Sequence, residues 1–302
     1  MLQSLSAVDV VGLGASSVDQ VHVVPALPST GGLHDKVRIA SRFTSCGGQV
    51  ATMIAACATF GLRARYLGPL GNDANTRVIR HELARRGVDL SGAILREAEN
   101  QYAVIVVDEQ TGERVVLWSR DPGLTPEAAA LSAGALTSGR VLHVDDVDED
   151  TSIQAARIAS ARGVIVTSDL DRVTDRTLEL VASVTFPIFA EHVPAALTGE
   201  TDPEQALRKL RRSHPGTLCV TLGARGSMAL EGDRLVYAQS GPVAAVDTTA
   251  SGDVFRAGFV FGLLAGHPID RILRFANTAA GIACTRRGAM ASIPALEEIP
   301  QS

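Results

Sequence analysis

Lysine is almost absent from this chain of 302 residues: Lys36 and Lys209 are its only two. A P-loop needs a lysine directly after its glycines, and a protein kinase needs one on a strand. Lys36 follows His34-Asp35, and Lys209 lies in the charged run Arg208-Lys209-Leu210-Arg211-Arg212, so neither motif can be built. Cysteine is scarce too. Cys46, Cys57, Cys219 and Cys284 are far apart, with no CxxC and no Cys/His ligand spacing, which argues against a disulfide scaffold and for reduced thiols. Basic blocks are missing and the formal net charge is -5, which makes nucleic acid or an anionic membrane a poor partner. Long apolar runs are missing as well. The longest near the C-terminus is cut by Arg256 and ends at His267-Pro268, too short for about 30 Å of hydrocarbon. The opening MLQSLSAVDVVGLG has neither a basic n-region nor a small-residue cleavage site, so a soluble cytoplasmic protein is expected.

What is present is ordinary globular composition, 46% apolar and 20% charged, enough to bury a core without metal or disulfide staples. Val8 to Leu13 reads as a strand buried on both faces. Alternation follows in Asp19–Val23 and in parts of Lys36–Phe43, the pattern of a sheet with one wet face. Gly47-Gly48 opens an Ala-rich helix to about Phe60, with Gly61 as its cap. A strand is predicted over 65–70 and a helix over 75–86. Tyr102–Asp108 and Glu113–Trp118 flank Glu109-Gln110-Thr111-Gly112, a hairpin turn. Strands at 140–144, 163–168, 184–190 and 217–222 then alternate with helices near 126–137, 151–161, 174–182 and 203–213. A hairpin over 228–237 and helices over 252–265 and 269–284 close the chain. This rhythm predicts a doubly wound, mostly parallel α/β sheet flanked by helices. One domain over 1–302 is expected to carry two β insertions, near 17–45 and 100–120, neither able to fold alone.

The richest segment runs from Val246 to Gly258, read as strand, small-residue turn and helix. A helix N-terminus offers free N–H groups and the positive dipole end to an anion. Asp253 in its first turn is either a carboxylate complementing the dipole or a base beside bound phosphate. Asp247, six residues earlier, suits a metal-shell carboxylate.

Asp247-Thr248-Thr249-Ala250-Ser251-Gly252-Asp253 resembles the DTxGAGD signature of the PfkB/ribokinase family of carbohydrate kinases. Gly47-Gly48 before Gly61 resembles its first signature, Pro69-Leu70-Gly71-Asn72-Asp73 its G-x-x-G-x-D turn, and Thr221–Gly226 its nucleotide loop. Cys284–Ala289 with Ser292-Ile293-Pro294 resembles its C-terminal motif. Because the segments keep the family's order along nearly the whole chain, the resemblance implies a ribokinase-like fold with a small β-sheet lid, and a homodimer through that lid. It implies a fructokinase-like or sulfofructose-kinase-like enzyme that uses ATP and Mg²⁺, with K⁺ as a further candidate. In it Asp253 would take the sugar hydroxyl proton, and the N–H groups of Ala250, Ser251, Gly252 and Asp253 would hold the γ-phosphate. Asp19, Gly47, Gly48, Gln49 and Arg114 would bind sugar. Thr221, Gly223, Gly226 and Asn277 would border ATP. Asp247 and Glu191 would stand near metal.

Departures from the pattern are equally legible. Ala250 replaces the first Gly of GAGD, which costs roughly 1–2 kcal/mol if the turn is left-handed there. Thr52 stands for an Asn of the first signature, and Ala190-Glu191-His192-Val193 replaces the family's NxxE motif. The acids Asp145, Asp146, Asp148, Glu149 and Asp150 follow a strand, either edging the sugar site and favouring a neutral ketose or polyol, or forming a solvated helix start. Two other readings stay open: a kinase homologue without turnover, and a kinase of a nucleoside or anionic sugar such as sulfofructose or a keto-deoxy sugar acid. An NAD site is disfavoured, because Gly12-Leu13-Gly14-Ala15-Ser16-Ser17 lacks the third glycine.

Overall fold

The computed structural model describes residues 8–31, 36–111, 113–127 and 131–300. In chain order its elements are β1 (Val8–Leu13), β2 (Ser17–Val24), β3 (Ser41–Gly47), α1 (Gln49–Thr59), β4 (Ala64–Tyr66), β5 (Pro69–Leu70) and α2 (Ala74–Arg85). Next come β6 (Ile94–Leu95), β7 (Tyr102–Asp108), β8 (Arg114–Ser119), α3 (Ala133–Leu136), β9 (Gly139–Asp145), α4 (Glu149–Ser160), β10 (Ile165–Leu170) and α5 (Thr177–Ser183). The remainder is β11 (Phe186–Phe189), α6 (His192–Thr198), α7 (Pro203–Leu210), β12 (Leu218–Thr221), β13 (Ser227–Glu231), β14 (Arg234–Ala238), α8 (Ser251–Leu264) and α9 (Ile269–Cys284).

The main sheet runs β14-β13-β12-β11-β10-β9-β1-β4 and is doubly wound. It is parallel from β4 through β12, and the hairpin β13–β14 closes one edge antiparallel. The chain leaves β1 for β4 on one side and returns through β9 on the other, so the strand order reverses between β1 and β9. Carboxyl ends at such a reversal leave a crevice open to ligands. One face of the sheet is covered by α1, α8 and α9, where Phe60, Phe261 and Phe275 pack with ring centroids 4.9–6.1 Å apart. Each such ring pair adds about 0.5–1.5 kcal/mol beyond area burial and helps to hold α1, α8 and α9 together.

The alternating segments form a second sheet, β3-β2-β7-β8, with β2 and β7 parallel and both outer pairs antiparallel. Its inner face buries Val21, Ala103 and Ile105. Gly112 of the predicted hairpin turn lies outside the described residues.

Four elements depart from the pattern expected of the sequence. The predicted strand over 65–70 is two strands in different sheets: β5 pairs with β6, and Gly68 between them lies so close to the Gly14 carbonyl that a Cβ would overlap it. The helix predicted over 126–137 is only α3, because Ser132 caps afresh by accepting the Ala135 N–H; residues 128–130 lie outside the described set. The segment before α8 is no strand. Val246 and Asp247 instead donate their N–H groups to the Cys284 carbonyl. Helix α6 falls where no helix was predicted, and Pro194 in its first turn is tolerated because that position needs no donor.

Candidate active site

Helix α8 opens on the Thr248–Ala250 turn at the carboxyl edge of the main sheet. Ala250 caps it at φ -99°, ψ 4°, and among the described residues no non-glycine has positive φ. The substitution of the family's glycine is therefore unstrained. The expected four-donor cradle is smaller, however. The Ser251 N–H is taken by the Thr248 carbonyl at 3.2 Å, and its hydroxyl by the same oxygen at 2.9 Å. Gly252 and Asp253, in the first turn of the helix, keep N–H groups that point out of its end.

Asp253 is half-buried, and its carboxyl is held well above the usual carboxylate range. Burial is the largest cause; the Asp169 charge adds to it, the Arg256 guanidinium opposes it, and Asp145 and Asp171 add further negative charge. A carboxylate raised in this way is a stronger proton acceptor once ionised.

Asp145 ends β9 at the strand reversal, fully buried. It accepts the Ala15 N–H at 2.7 Å and the Val147 N–H at 3.1 Å, and burial pushes its pKa up to about 7. Its neighbour Asp146 accepts the N–H groups of Asp171 and Arg172, both at 2.6 Å. Asp148 pairs with Arg120 at 2.5 Å, and Asp150 with Arg176 at 2.7 Å. The acidic run is split: Asp145 and Asp146 are buried and tie the crevice loops together, while Asp148, Glu149 and Asp150 form the start of α4, with Asp150 exposed.

Asp19, Gly47, Gly48 and Gln49 gather at one end of the crevice. Asp19 is 8% exposed and accepts the Ser17 hydroxyl at 3.2 Å. Burial lifts its pKa to about 6; the Ser17 bond opposes this and the Asp247 charge adds to it. A Cβ on Gly47 would stand 2.7 Å from the Asp19 carboxylate. Gly48 has φ +93° and lies against the backbone of Ser16. The Gln49 side chain lies near Asp169 and favours its ionised form. Arg114 does not join them. It pairs with Val107, four residues along the ladder from the partner of Asp19. There it shares a cavity of about 340 Å³ with Val21, Phe43, Asp247 and Arg287, and its charge helps to hold Asp247 low.

Thr221, Gly223, Gly226 and Asn277 all line one cavity of about 870 Å³, together with Ser251 and Gly252. Gly226 has φ +103°, and a Cβ there would overlap the Ala238 carbonyl. Asn277, buried, donates to that same carbonyl at 2.8 Å. Sequence reading missed the rest of this wall, Gln239–Val243 with Phe255 and Cys284; Gly241-Pro242 was its one local signal. Ala245 and Thr248 line both cavities, so the loop before α8 divides them.

The expected metal carboxylates are otherwise engaged. Glu191 is exposed and pairs with Arg225 at 2.5 Å. Asp247 takes the Thr249 N–H and hydroxyl on one oxygen and the Gly288 N–H on the other. Among the described residues no cluster of three or more His, Cys, Asp or Glu is placed to hold a metal.

A doubly wound sheet whose crevice joins a roomy glycine-walled cavity to a helix N-terminus and a raised carboxylate is the architecture of a small-molecule kinase. The chain belongs to the pfkB family of carbohydrate kinases, whose model matches residues 9–296. It is 28% identical to a fructokinase of Klebsiella pneumoniae, covering 86% of this chain and 93% of that one. It is 26% identical to a ribokinase of Bacillus subtilis, covering 96% and 97%. The solved structure of Arabidopsis thaliana ribokinase complexed with ribose and ATP shares the fold, with a TM-score of 0.84 at 24% identity over 97% of both chains. The protein is a phosphotransferase of the carbohydrate kinase class. No helix among the described residues is long and apolar enough to cross a membrane.

Proposed function

We propose that the protein transfers the γ-phosphoryl group of ATP to a hydroxyl of a small neutral sugar, a ketose or related polyol. One observation carries the reading: the residues expected to border ATP line a single cavity with Gly252, one residue from Asp253. ATP would lie against Thr221, Gly223, Gly226 and Asn277, with its γ-phosphate on the N–H groups of Gly252 and Asp253. Charge developing there meets fixed dipoles, and losing one such donor typically costs about 2.7–4 kcal/mol of transition-state stabilisation. Asp19, Gly47, Gly48 and Gln49 would hold the sugar so that its hydroxyl faces Asp253, which accepts the proton as the new O–P bond forms.

Asp19, Asp145 and Asp253 line the acceptor end with acidic groups, and the cations Arg120 and Arg256 are each paired, with Asp148 and Asp169. This favours a neutral acceptor over a phosphorylated, sulfonated or carboxylated one. Among the described residues no carboxylate cluster would cage Mg²⁺, so it would arrive with the nucleotide, held by phosphates and water. No step is assigned to K⁺. The second sheet would cover the sugar and exclude the water that would otherwise hydrolyse ATP. Its outer strand β8 is exposed along its length, and would pair with a second copy.

The test is ADP release with Mg²⁺ and ATP over a panel of fructose, ribose, tagatose, 2-keto-3-deoxygluconate, sulfofructose, sugar phosphates and nucleosides. One neutral sugar should turn over, and Asp253→Asn should abolish turnover while ATP still binds. Full activity in Asp253→Asn would overturn the assignment of the base, and an anionic sugar as the best substrate would overturn the acceptor class.

A further inference from the structure

Helix α8 carries an arginine where its own pattern calls for an apolar residue. Its neighbours Val254, Phe255, Ala257, Gly258 and Phe259 are buried, and Arg256 is buried with them at 3% exposure. The guanidinium pairs with Asp169 at 2.5 Å, and Asp169 is itself 2% exposed. Arg256 stands four residues after Gly252 and three after Asp253, hence on their face of the helix, with its side chain directed back toward the N-terminus. A Cβ on Gly252 would lie 2.6 Å from Arg256 Nη1, so the guanidinium presses against the backbone of the phosphate turn. Its Nη2 also reaches the Ile188 carbonyl at 3.5 Å, and its Nε has no partner. On the far side, the side chain of Gln49, the first residue of α1, lies near Asp169 and favours its ionised form.

A buried ion pair is a poor way to stabilise a fold: replacing both members by packed apolar groups is often neutral or favourable. This pair instead spans the gap between two helix N-termini, one at the sugar end of the crevice and one at the phosphate end. We propose that Arg256, braced by Asp169, is a positioning residue that fixes the phosphate turn of α8 and couples it to the sugar-binding end of α1. The inference rests on the kinase reading given above. Asp253 faces Asp145 from β9, Asp169 and Asp171 from the end of β10, and Arg256 on its own helix. Arg256 therefore favours the ionised base and Asp169 opposes it, so removing one or the other moves the base in opposite directions.

The experiment is the pH dependence of kcat and KM for wild type, Asp169→Asn, Arg256→Lys, Arg256→Met and the double variant Asp169→Leu/Arg256→Met, each with its urea midpoint. Arg256→Met should lower kcat at least tenfold and move the acidic limb up by about one pH unit, since it withdraws a neighbouring positive charge. Asp169→Asn should move the limb down. Arg256→Lys should restore the limb but only part of kcat, because it keeps the charge and loses the fork. Arg256→Met leaves a buried carboxylate unpaired and can unfold the protein; the double variant removes both charges, and should fold normally yet stay slow. A folded double variant with wild-type kcat, or single variants whose limbs move together or not at all, would overturn the proposal while wild-type turnover and a silent Asp253→Asn left the kinase reading standing. An Asp253→Asn as active as wild type would bring down both.

Discussion

Asp247 Oδ2 accepts the Gly288 N–H at 2.9 Å, so the loop entering α8 and the turn leaving α9 are fastened together across 41 residues. The other carboxylate oxygen holds the Thr249 N–H at 3.0 Å and the Thr249 hydroxyl at 2.5 Å. Burial works against this carboxylate, but the bonds from Thr249 and Gly288 and the charge of Arg114 hold its pKa below the ordinary value. Asp247→Ala should lower stability by about 1–3 kcal/mol through the stranded donors. It should also slow turnover, because the wall between the two cavities loosens. The pH dependence has a definite sign. Stability from a depressed carboxylate is present above its unfolded pKa and lost as pH falls through the folded one. Urea titrations should therefore show the wild-type advantage over Asp247→Ala shrinking below about pH 4. An advantage that grew on acidification would refute the tether.

Asp19 carries the opposite sign. Its folded pKa of about 6 exceeds the ordinary 3.8, so the folded state holds a proton that the unfolded chain has lost, and its contribution falls as pH rises through that window. A displacement of that size corresponds to about 3 kcal/mol at most. Asp19→Asn should gain thermal stability relative to wild type as pH rises from about 3.8 to about 6, across the window set by those two values. Its KM for sugar should rise sharply. Equal pH dependence of melting in the two proteins would remove the basis for this account.

Gly226 and Gly223 differ although both have positive φ. At Gly226 a Cβ would overlap the Ala238 carbonyl, whereas at Gly223 it would meet only a flexible Glu191 oxygen 3.9 Å away. Gly223→Ala should cost about 1–2 kcal/mol from backbone strain alone. Gly226→Ala should cost more, disturb the β13–β14 edge and raise the KM for ATP, which denaturation and kinetics would read together. Equal costs for the two variants would mean that the hairpin edge yields freely.

Strand β8 exposes Val115 and Val116 at 45%, Leu117 at 60% and Trp118 at 63%. A long apolar edge of this kind invites pairing with another chain. Sedimentation at micromolar concentration should find twice the 31.6 kDa of one chain, and Leu117→Lys with Trp118→Lys should return it to that mass with its fold intact. A wild-type monomer would count against pairing through this strand.

Local chemistry made much of the molecule legible. The apolar run of β1, the alternation of β2 and β7 and the small-residue turn before α8 each carry their own periodicity or backbone requirement, so they could be read in isolation. The four nucleotide-cavity residues were expected only from the resemblance to the family's motifs; two of them are glycines with positive φ. Arg114 was expected beside Asp19 and lies four residues along the ladder, beside Asp247; a β-strand repeats every two residues, so only the ladder register shows this. The break at Gly68 was hidden because its cause, the Gly14 carbonyl, comes from a segment far away in sequence.

The sequence by itself determined the fold class, most of the element order and the turn that carries Asp253, because periodicity, capping and glycine are local properties. Only the tertiary structure decided the electrostatics. Whether Asp145, Asp169 and Asp253 are raised, whether Asp247 is lowered, and whether Arg256 points at solvent or at the phosphate turn all depend on burial and on charges brought from separate strands. Those are distances in space, and one-dimensional spacing does not contain them.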